Sequence, residues 1–133
     1  MDVIMDIASR YGLYVVEDAA QGVNAKYNGK FLGTIGDIGT YSFHETKNFI
    51  CGEGGAIIGN DEQLMDQCYT VHNHGTSRRG VNEVIGPKYR MNEFEAAVLL
   101  GQLAGVEERF LRRIENAAYL TSTMNVFPGV RPL

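Results

Sequence analysis

Two clusters of polar side chains follow apolar runs and bring together the acid, hydroxyl and amine groups that enzymes use. Residues 17–21 read Glu-Asp-Ala-Ala-Gln, and residues 42–48 read Ser-Phe-His-Glu-Thr-Lys-Asn. Open α/β sheets bind ligands at the carboxyl ends of their strands, so both clusters are candidate ligand-binding positions. Their reactive groups are the carboxylate of Asp18, the hydroxyl of Ser42 and the amine of Lys47.

Taken singly, these residues have ordinary alternatives. Asp18 could cap a helix, and a lone lysine such as Lys47 is usually an exposed, solubilising residue. Ser42, His44 and Asp18 contain the residue types of a hydrolase triad. The nucleophile motif of such enzymes is Gly-x-Ser-x-Gly, however, and Ser42 stands in Thr-Tyr-Ser-Phe-His, so a triad is disfavoured.

The glycines and histidines form no clear ligand motif. Residues 52–55, Gly-Glu-Gly-Gly, lead into an apolar run, whereas a dinucleotide fingerprint requires Gly-x-Gly-x-x-Gly between a strand and a helix. His72 and His74 lack neighbouring thiolate or carboxylate partners in the sequence and are interpreted as loop histidines. We therefore predict neither a Rossmann site nor a metal site.

The combination of Asp18 and Lys47 on neighbouring strand ends, with Ser42 five residues before the lysine, suits pyridoxal phosphate. This cofactor needs an amine that condenses with its aldehyde and a carboxylate that keeps its ring nitrogen protonated. A hydroxyl can donate to its phosphate, and the small residues beside Asp18 let a flat ring lie against the backbone. The two clusters together therefore predict a pyridoxal phosphate site.

Hydrophobic periodicity predicts the elements that must position these residues. Apolar residues at helical spacing predict a helix over 2–11, capped by Asp2 and ended by Gly12 in the left-handed conformation. The apolar run 13–16 does not alternate, which predicts a strand buried on both faces in a sheet with parallel strands. Asn28-Gly29 predicts a tight turn.

Further strands and two more helices are predicted downstream. Residues 38–43 and 56–58 are interpreted as strands, and residues 72–88 as a long polar loop. Asn60 followed by Gln63 predicts a helix to about residue 69. Asn92 followed by Glu95 predicts one long helix of roughly 28 residues, ending near residue 125, whose apolar stripe needs a partner surface.

Composition excludes several function classes. The chain has 133 residues, 12 basic and 16 acidic side chains and a formal charge of −4. Proteins that bind nucleic acid or anionic membranes usually carry a basic surface, so this charge argues against both functions. We expect no membrane span and no signal peptide. The two cysteines, Cys51 and Cys68, are too few for a disulfide scaffold, so a reducing cytoplasmic setting is expected.

Four motifs in the right order resemble the DegT/DnrJ/StrS family of sugar aminotransferases, which depend on pyridoxal phosphate. They lie at residues 15–21, 42–48, 53–56 and 89–97 and span nearly the whole chain. The resemblance implies an α/β fold, as part of the large domain of fold-type I (aspartate aminotransferase-like) transferases. Such a domain has a mixed or parallel sheet, flanking helices and a long C-terminal helix.

The resemblance also implies a role for each site residue. Lys47 would bind the cofactor covalently and move the proton during catalysis, and Asp18 would pair with the ring nitrogen. Gln21 would bond the ring's 3-hydroxyl oxygen, Ser42 the phosphate, and Ala20 would pack on the ring. Lys88 stands where relatives often carry an asparagine that reaches the partner subunit's phosphate, so we do not assign it to the site.

The implied reaction moves an amino group from glutamate or glutamine to a keto sugar that is nucleotide-linked, in amino sugar and polysaccharide biosynthesis. Because Lys47 is present, this reaction is favoured over the dehydratase branch, in which histidine replaces the lysine. Residues 44–48 resemble enzymes that make dTDP-4-amino-4,6-dideoxygalactose, whereas residues 73–75 and 89–91 resemble inosose and other keto-sugar aminotransferases. The substrate therefore stays open.

The resemblance covers only the middle of the family's usual length. Residues 1–133 are expected to be a partial large domain that lacks the preceding N-terminal part and the C-terminal small domain, and to be inactive alone because a half-built site admits water. A homodimer with shared sites is implied for the full-length form. The alternative is a non-catalytic chain, truncated or accessory, that keeps the fold without the chemistry.

Overall fold

The computed structural model describes residues 1–131, which form two compact units, the first Met1–Leu99 and the second beginning at Leu100. The helices and strands of the described residues, in chain order, are α1 (Asp2–Tyr11), β1 (Val16–Asp18), β2 (Lys26–Tyr27), β3 (Lys30–Phe31), β4 (Ile38–Ser42), β5 (Gly55–Ile58), α2 (Glu62–His72), α3 (Glu93–Leu103) and α4 (Val106–Met124). None of the helices within residues 1–131 is both long and apolar enough to cross a membrane.

The first unit contains a mixed three-stranded sheet of order β1-β4-β5. β1 pairs with β4 in parallel, with Asp18 opposite Thr40, and β4 pairs with β5 antiparallel, with Ser42 opposite Gly55. This confirms the predicted α/β class and the parallel pairing of the two strands that precede the polar clusters. Both polar clusters therefore follow the carboxyl ends of neighbouring parallel strands, on the same side of the sheet.

The first strand differs from its prediction in position and in burial. β1 begins at Val16 rather than at Leu13, and Leu13, Tyr14 and Val16 are 58%, 82% and 63% exposed. The expected burial on both faces was wrong for the described part of the chain. There β1 is an edge strand of the sheet, so its apolar side chains are covered less than those of a central strand.

The predicted turns that begin and end the early elements are mostly confirmed. Gly12 ends α1 with φ 61° and ψ 39°, and its N–H donates to the Ala8 carbonyl. Asn28 and Gly29, with φ of 49° and 81°, join β2 to β3 as a two-residue hairpin turn. The predicted Asp2 cap was wrong: Met1 precedes the helix, and the Asp2 carboxylate accepts from Tyr27 and Asn28 instead.

The capping predictions for α2 and α3 had different outcomes. At α3 the Asn92 side chain accepts from the Glu95 N–H at 2.9 Å and the Glu95 carboxylate accepts from the Asn92 N–H at 3.3 Å, which confirms the reciprocal capping box. At α2 the cap is Asp61, whose Oδ1 accepts from the Leu64 N–H at 2.9 Å. The Asn60 prediction was off by one residue.

The prediction of a single long helix was wrong, because the helix is interrupted between α3 and α4. The Gly105 N–H bonds the Gln102 carbonyl three residues back, and the Arg109 guanidinium donates to that same carbonyl at 2.7 Å. A glycine at this position weakens helix continuation, and the arginine satisfies an oxygen left at the helix end. α4 itself keeps an apolar stripe that is half exposed, including Leu111 at 52% and Ile114 at 50%.

Candidate active site

The carboxyl ends of β1 and β4 place Asp18 and Ser42 on one face of the sheet. Asp18 is the last residue of β1 and pairs with Thr40, and Ser42, two residues further along, is the last residue of β4. Side chains alternate between faces along a strand, so Asp18, Thr40 and Ser42 share a face. The buried Glu17, in contrast, belongs to the opposite face.

A small cavity joins the two chain segments that leave these strands. It has a volume of about 30 Å³ and is lined by Ala20, Gln21, Val23, Thr46, Lys47 and Asn48. The structure thus brings together three of the five predicted site residues, Ala20, Gln21 and Lys47. Asp18 and Ser42 lie on the adjoining strand ends and do not line it. The cavity is about the size of one water molecule, so its lining residues form only one part of the wall of a ligand site.

The Asp18 carboxylate is exposed and is held by the turn that follows β1. Its Oδ1 accepts the N–H of Ala20 at 3.1 Å, which fixes the side chain against its own backbone. The neighbouring Ala19 is buried and its N–H bonds the Thr40 carbonyl at 3.1 Å, so the chain stays joined to β4 past the end of β1. This carboxylate is therefore presented at the strand end in a defined direction.

Lys47 lies half-buried in a turn that is anchored to the sheet. Its N–H donates to the His44 carbonyl at 2.9 Å, which closes a four-residue turn. The buried rings of Phe43 and Phe49, on either side of the turn, pack edge-to-face with centroids 5.5 Å apart. The backbone that carries the lysine is therefore fixed at both ends.

The glycines of residues 52–55 let the chain return close to this turn. Gly54 has φ 152°, and a Cβ there would stand 3.0 Å from both Cys51 Sγ and Met91 Cε. A Cβ at Gly55 would stand 2.7 Å from the Tyr41 carbonyl oxygen. A side chain at Gly55, the first residue of β5, would push β5 away from β4, and a side chain at Gly54 would crowd Cys51 and Met91.

Ser42 has the geometry of a hydroxyl that can donate outward. Its Oγ accepts the backbone N–H of His44 at 3.3 Å, so its own hydrogen is free to point elsewhere. The His44 ring contacts Thr46 through Nδ1. No bond joins Ser42 to the ring in residues 1–131, which argues against the hydrolase triad on geometry as well.

Glu17 has a structural role that the sequence did not reveal. Its buried carboxylate accepts three backbone N–H groups, from Gly33 at 2.9 Å and from Ile35 and Gly36 at 2.6 Å each. Burial by itself raises the pKa of Glu17, but the three donors outweigh burial and the pKa lies below its ordinary value of 4.5. These donors lie 16 to 19 residues away, so no local pattern signals them.

The prediction of two loop histidines was wrong for His72, which is the last residue of α2, whereas His74 lies in the loop that follows this helix. His72 Nδ1 donates to the Tyr69 carbonyl at 2.7 Å, and the His74 N–H donates to the Pro87 carbonyl at 3.0 Å. Among residues 1–131, no group of three or more His, Cys, Asp or Glu side chains is placed to hold a metal ion.

Comparison with known proteins identifies the family. The profile of the DegT/DnrJ/EryC1/StrS aminotransferase family matches residues 1–133, and the chain belongs to this family. The chain is 41% identical to the pleiotropic regulatory protein of Geobacillus stearothermophilus over 97% of its length, and 37% identical to GDP-perosamine synthase of Escherichia coli O157:H7 over 94%. Each match covers 35% of the relative, so the chain spans about a third of their length.

A solved structure supports the same fold. The aminotransferase from Psychrobacter cryohalolentis superposes with a TM-score of 0.84 at 35% identity, over 88% of this chain and 33% of that one. This chain therefore has the fold of about a third of that aminotransferase.

Proposed function

We propose that the protein transfers an amino group from glutamate or glutamine to a nucleotide-linked keto sugar, with pyridoxal phosphate bound at the shared edge of β1 and β4. One observation carries the proposal: the segment after Asp18 and the turn of Lys47 line the same cavity, beside the end of Ser42's strand. Residues 1–133 would then belong to the cofactor-binding large domain of the enzyme.

The donor set fits this cofactor. Pyridoxal phosphate, when bound, supplies an aldehyde that takes up an amine and a protonated ring that draws electrons from it. We assign to Asp18 the pairing with the ring nitrogen, because its carboxylate stands at the strand end in a fixed direction. Ser42 would donate its hydroxyl hydrogen to a phosphate oxygen, and Ala20 offers a small surface for the ring.

Lys47 and Gln21 complete the assignment. The Lys47 amine, which belongs to the turn that lines the cavity, would bond the cofactor and, once released, carry a proton between the substrate carbon and the cofactor. Gln21, which lines the same cavity, would donate its amide N–H to the ring's 3-hydroxyl oxygen. Both residues line the small cavity beside the carboxyl ends of β1 and β4.

The similarity to known relatives supports a class of substrate. A relative named GDP-perosamine synthase supports a nucleotide-linked sugar, whereas residues 44–48 resemble enzymes for dTDP-linked sugars. We propose a nucleoside-diphosphate keto-deoxyhexose. The proposed setting is the cytoplasm, and the proposed assembly of the full-length form is a homodimer, as the family resemblance implies.

A non-catalytic chain is the second candidate, favoured by the similarity to the pleiotropic regulatory protein of Geobacillus stearothermophilus. The test uses the full-length protein, incubated with pyridoxal phosphate, reduced with borohydride and digested. We expect a pyridoxyl adduct on the peptide that carries Lys47, and its loss in Lys47→Arg. Lys30→Arg, on the exposed β3, is the matched control and should keep the adduct.

The outcomes separate the candidates. An adduct on Lys26, Lys30 or Lys88 instead of Lys47 would overturn the residue assignment. No adduct in the unmodified protein would favour the non-catalytic candidate. Incubation with 15N-glutamate and either a GDP-linked or a dTDP-linked 4-keto-6-deoxyhexose then tests amino transfer, because only the true substrate should acquire the label.

A further inference from the structure

The ring of His44 contacts the turn that carries Lys47, and its geometry fixes which nitrogen holds the proton. Nδ1 lies 3.2 Å from the backbone nitrogen of Thr46 and 2.9 Å from Thr46 Oγ1. A backbone N–H can only donate, so Nδ1 accepts, and the proton of the neutral ring is on Nε2. The ring therefore acts as an acceptor towards the turn.

The other side of the ring faces a carboxylate from the glycine segment. His44 Nε2 lies 3.6 Å from Glu53 Oε1, and the two side chains are 38% and 79% exposed. Such an exposed pair contributes little free energy, but it favours the Nε2–H form that leaves Nδ1 free to accept. The backbones of the two segments are paired as well. His44 and Gly52 form an isolated parallel β-bridge, and the Glu45 N–H donates to the Gly52 carbonyl at 2.9 Å.

We propose that His44 is a positioning residue for Lys47, a role that rests on the function proposed above. Through Nδ1 the ring holds the Thr46 N–H and hydroxyl, and through its carbonyl the same residue holds the Lys47 N–H. One residue thus fixes two successive amides of the turn. The direction of the Lys47 side chain is set by that backbone, and small displacements of a reacting group lower rates strongly.

Hydrogen exchange in the cofactor-free full-length protein tests the proposal without relying on activity. We expect His44→Leu to speed exchange of the Thr46 amide about tenfold, the effect of losing one ordinary hydrogen bond, whereas the Lys47 N–H keeps its bond to the backbone carbonyl of residue 44. His44→Asn should restore protection to within about threefold, because the amide oxygen of asparagine can accept near the place of Nδ1. Glu45→Gln, an exposed change in the same turn, is the matched control and should have no effect.

Two further measurements make the test specific for positioning. Nitrogen chemical shifts of the unmodified protein should show Nδ1 of His44 unprotonated in the neutral ring. The rate of adduct formation at Lys47 should fall about tenfold in His44→Leu and recover in His44→Asn.

Contrary results are separable. A proton on Nδ1, or unchanged exchange in His44→Leu, would overturn the role of His44, even if a variant folds poorly, since the tautomer is read in the unmodified protein. Absence of any Lys47 adduct in the unmodified protein, with the exchange results as expected, would contradict the proposed function and leave the local contacts of His44 established.

Discussion

The carboxylate of Glu17 accepts the backbone N–H of Gly36 at 2.6 Å, and this bond ties β1 to the segment that leads into β4. Together with the bonds to Gly33 and Ile35, it makes one acidic side chain responsible for the path of a glycine-rich segment. The parallel pairing that brings Asp18 next to Thr40 depends on that path.

Glu17→Gln should therefore destabilise the protein. The amide would turn an N–H group towards at least one backbone donor, which leaves a buried group unpaired at a cost of about 1–3 kcal/mol. Urea unfolding of the full-length protein measures the change. Glu45→Gln, which removes an exposed carboxylate, should leave the midpoint where it is; an equal loss in both variants would contradict the role of Glu17.

Acid should weaken the protein through the same residue. Because the pKa of Glu17 is lower in the folded state than its ordinary 4.5, its contribution to stability is present above the unfolded value and is lost as pH falls through the folded value. Unfolding followed from pH 6 down to pH 3 should show this loss begin at about 4.5. In Glu17→Gln that part of the slope should be absent.

Asp18→Asn should separate chemistry from stability. Asparagine keeps an oxygen that can accept the Ala20 N–H, so the unfolding midpoint should not change. The ring nitrogen would lose its anionic partner, and turnover of the full-length enzyme should fall about a hundredfold or more. Wild-type turnover in this variant would remove Asp18 from the site.

Gly39→Ala should be one of the most damaging single changes in the sheet. A Cβ at this buried position in β4 would overlap the backbone of Gly33, and overpacking against backbone costs about 3 kcal/mol. Gly101→Ala is the control, because a Cβ there meets open space within a helix and should stabilise it by about 0.5–1 kcal/mol. Thermal unfolding of both variants checks the contrast.

The cap of α2 can be tested by two neighbouring alanines. Asp61→Ala removes the side chain that accepts from the Leu64 N–H and should cost about 1 kcal/mol. Asn60→Ala, the residue that the sequence pattern favoured, bonds only weakly to Thr34 at 3.5 Å and should cost little. Reversal of this order would show that the pattern identified the cap correctly.

Local signals in the sequence predicted local structure well. The turn at Asn28-Gly29, the left-handed Gly12 and the box of Asn92 and Glu95 each depend on neighbours a few residues apart. The break near Gly105 was missed because apolar spacing continues through it, although the glycine and the Arg109 side chain end one helix and begin the next.

Longer-range relations were predicted only in part. The strand ends that carry Asp18 and Ser42 were placed on one edge because parallel strands require it, and the structure agrees. The three donors to Glu17 lie in a segment whose path is fixed by tertiary contacts, and the exposure of Val16 depends on which strands pair with β1. Neither is encoded in the spacing of nearby residues.

Adjacent acids on β1 point to opposite sides of the sheet, and this alternation carries a risk of misfolding. If β1 slipped by one position along β4 so that Glu17 stood in the place of Asp18, Val16 would take the place of Glu17, and an apolar side chain would face the three backbone donors. The slipped strand would still place a carboxylate at its carboxyl end, but on the side chain of Glu17, which is one methylene longer than that of Asp18. Because three amides recognise Glu17 at its correct distance, the chain discriminates between two otherwise similar alignments, and the fidelity of the site begins with a residue outside it.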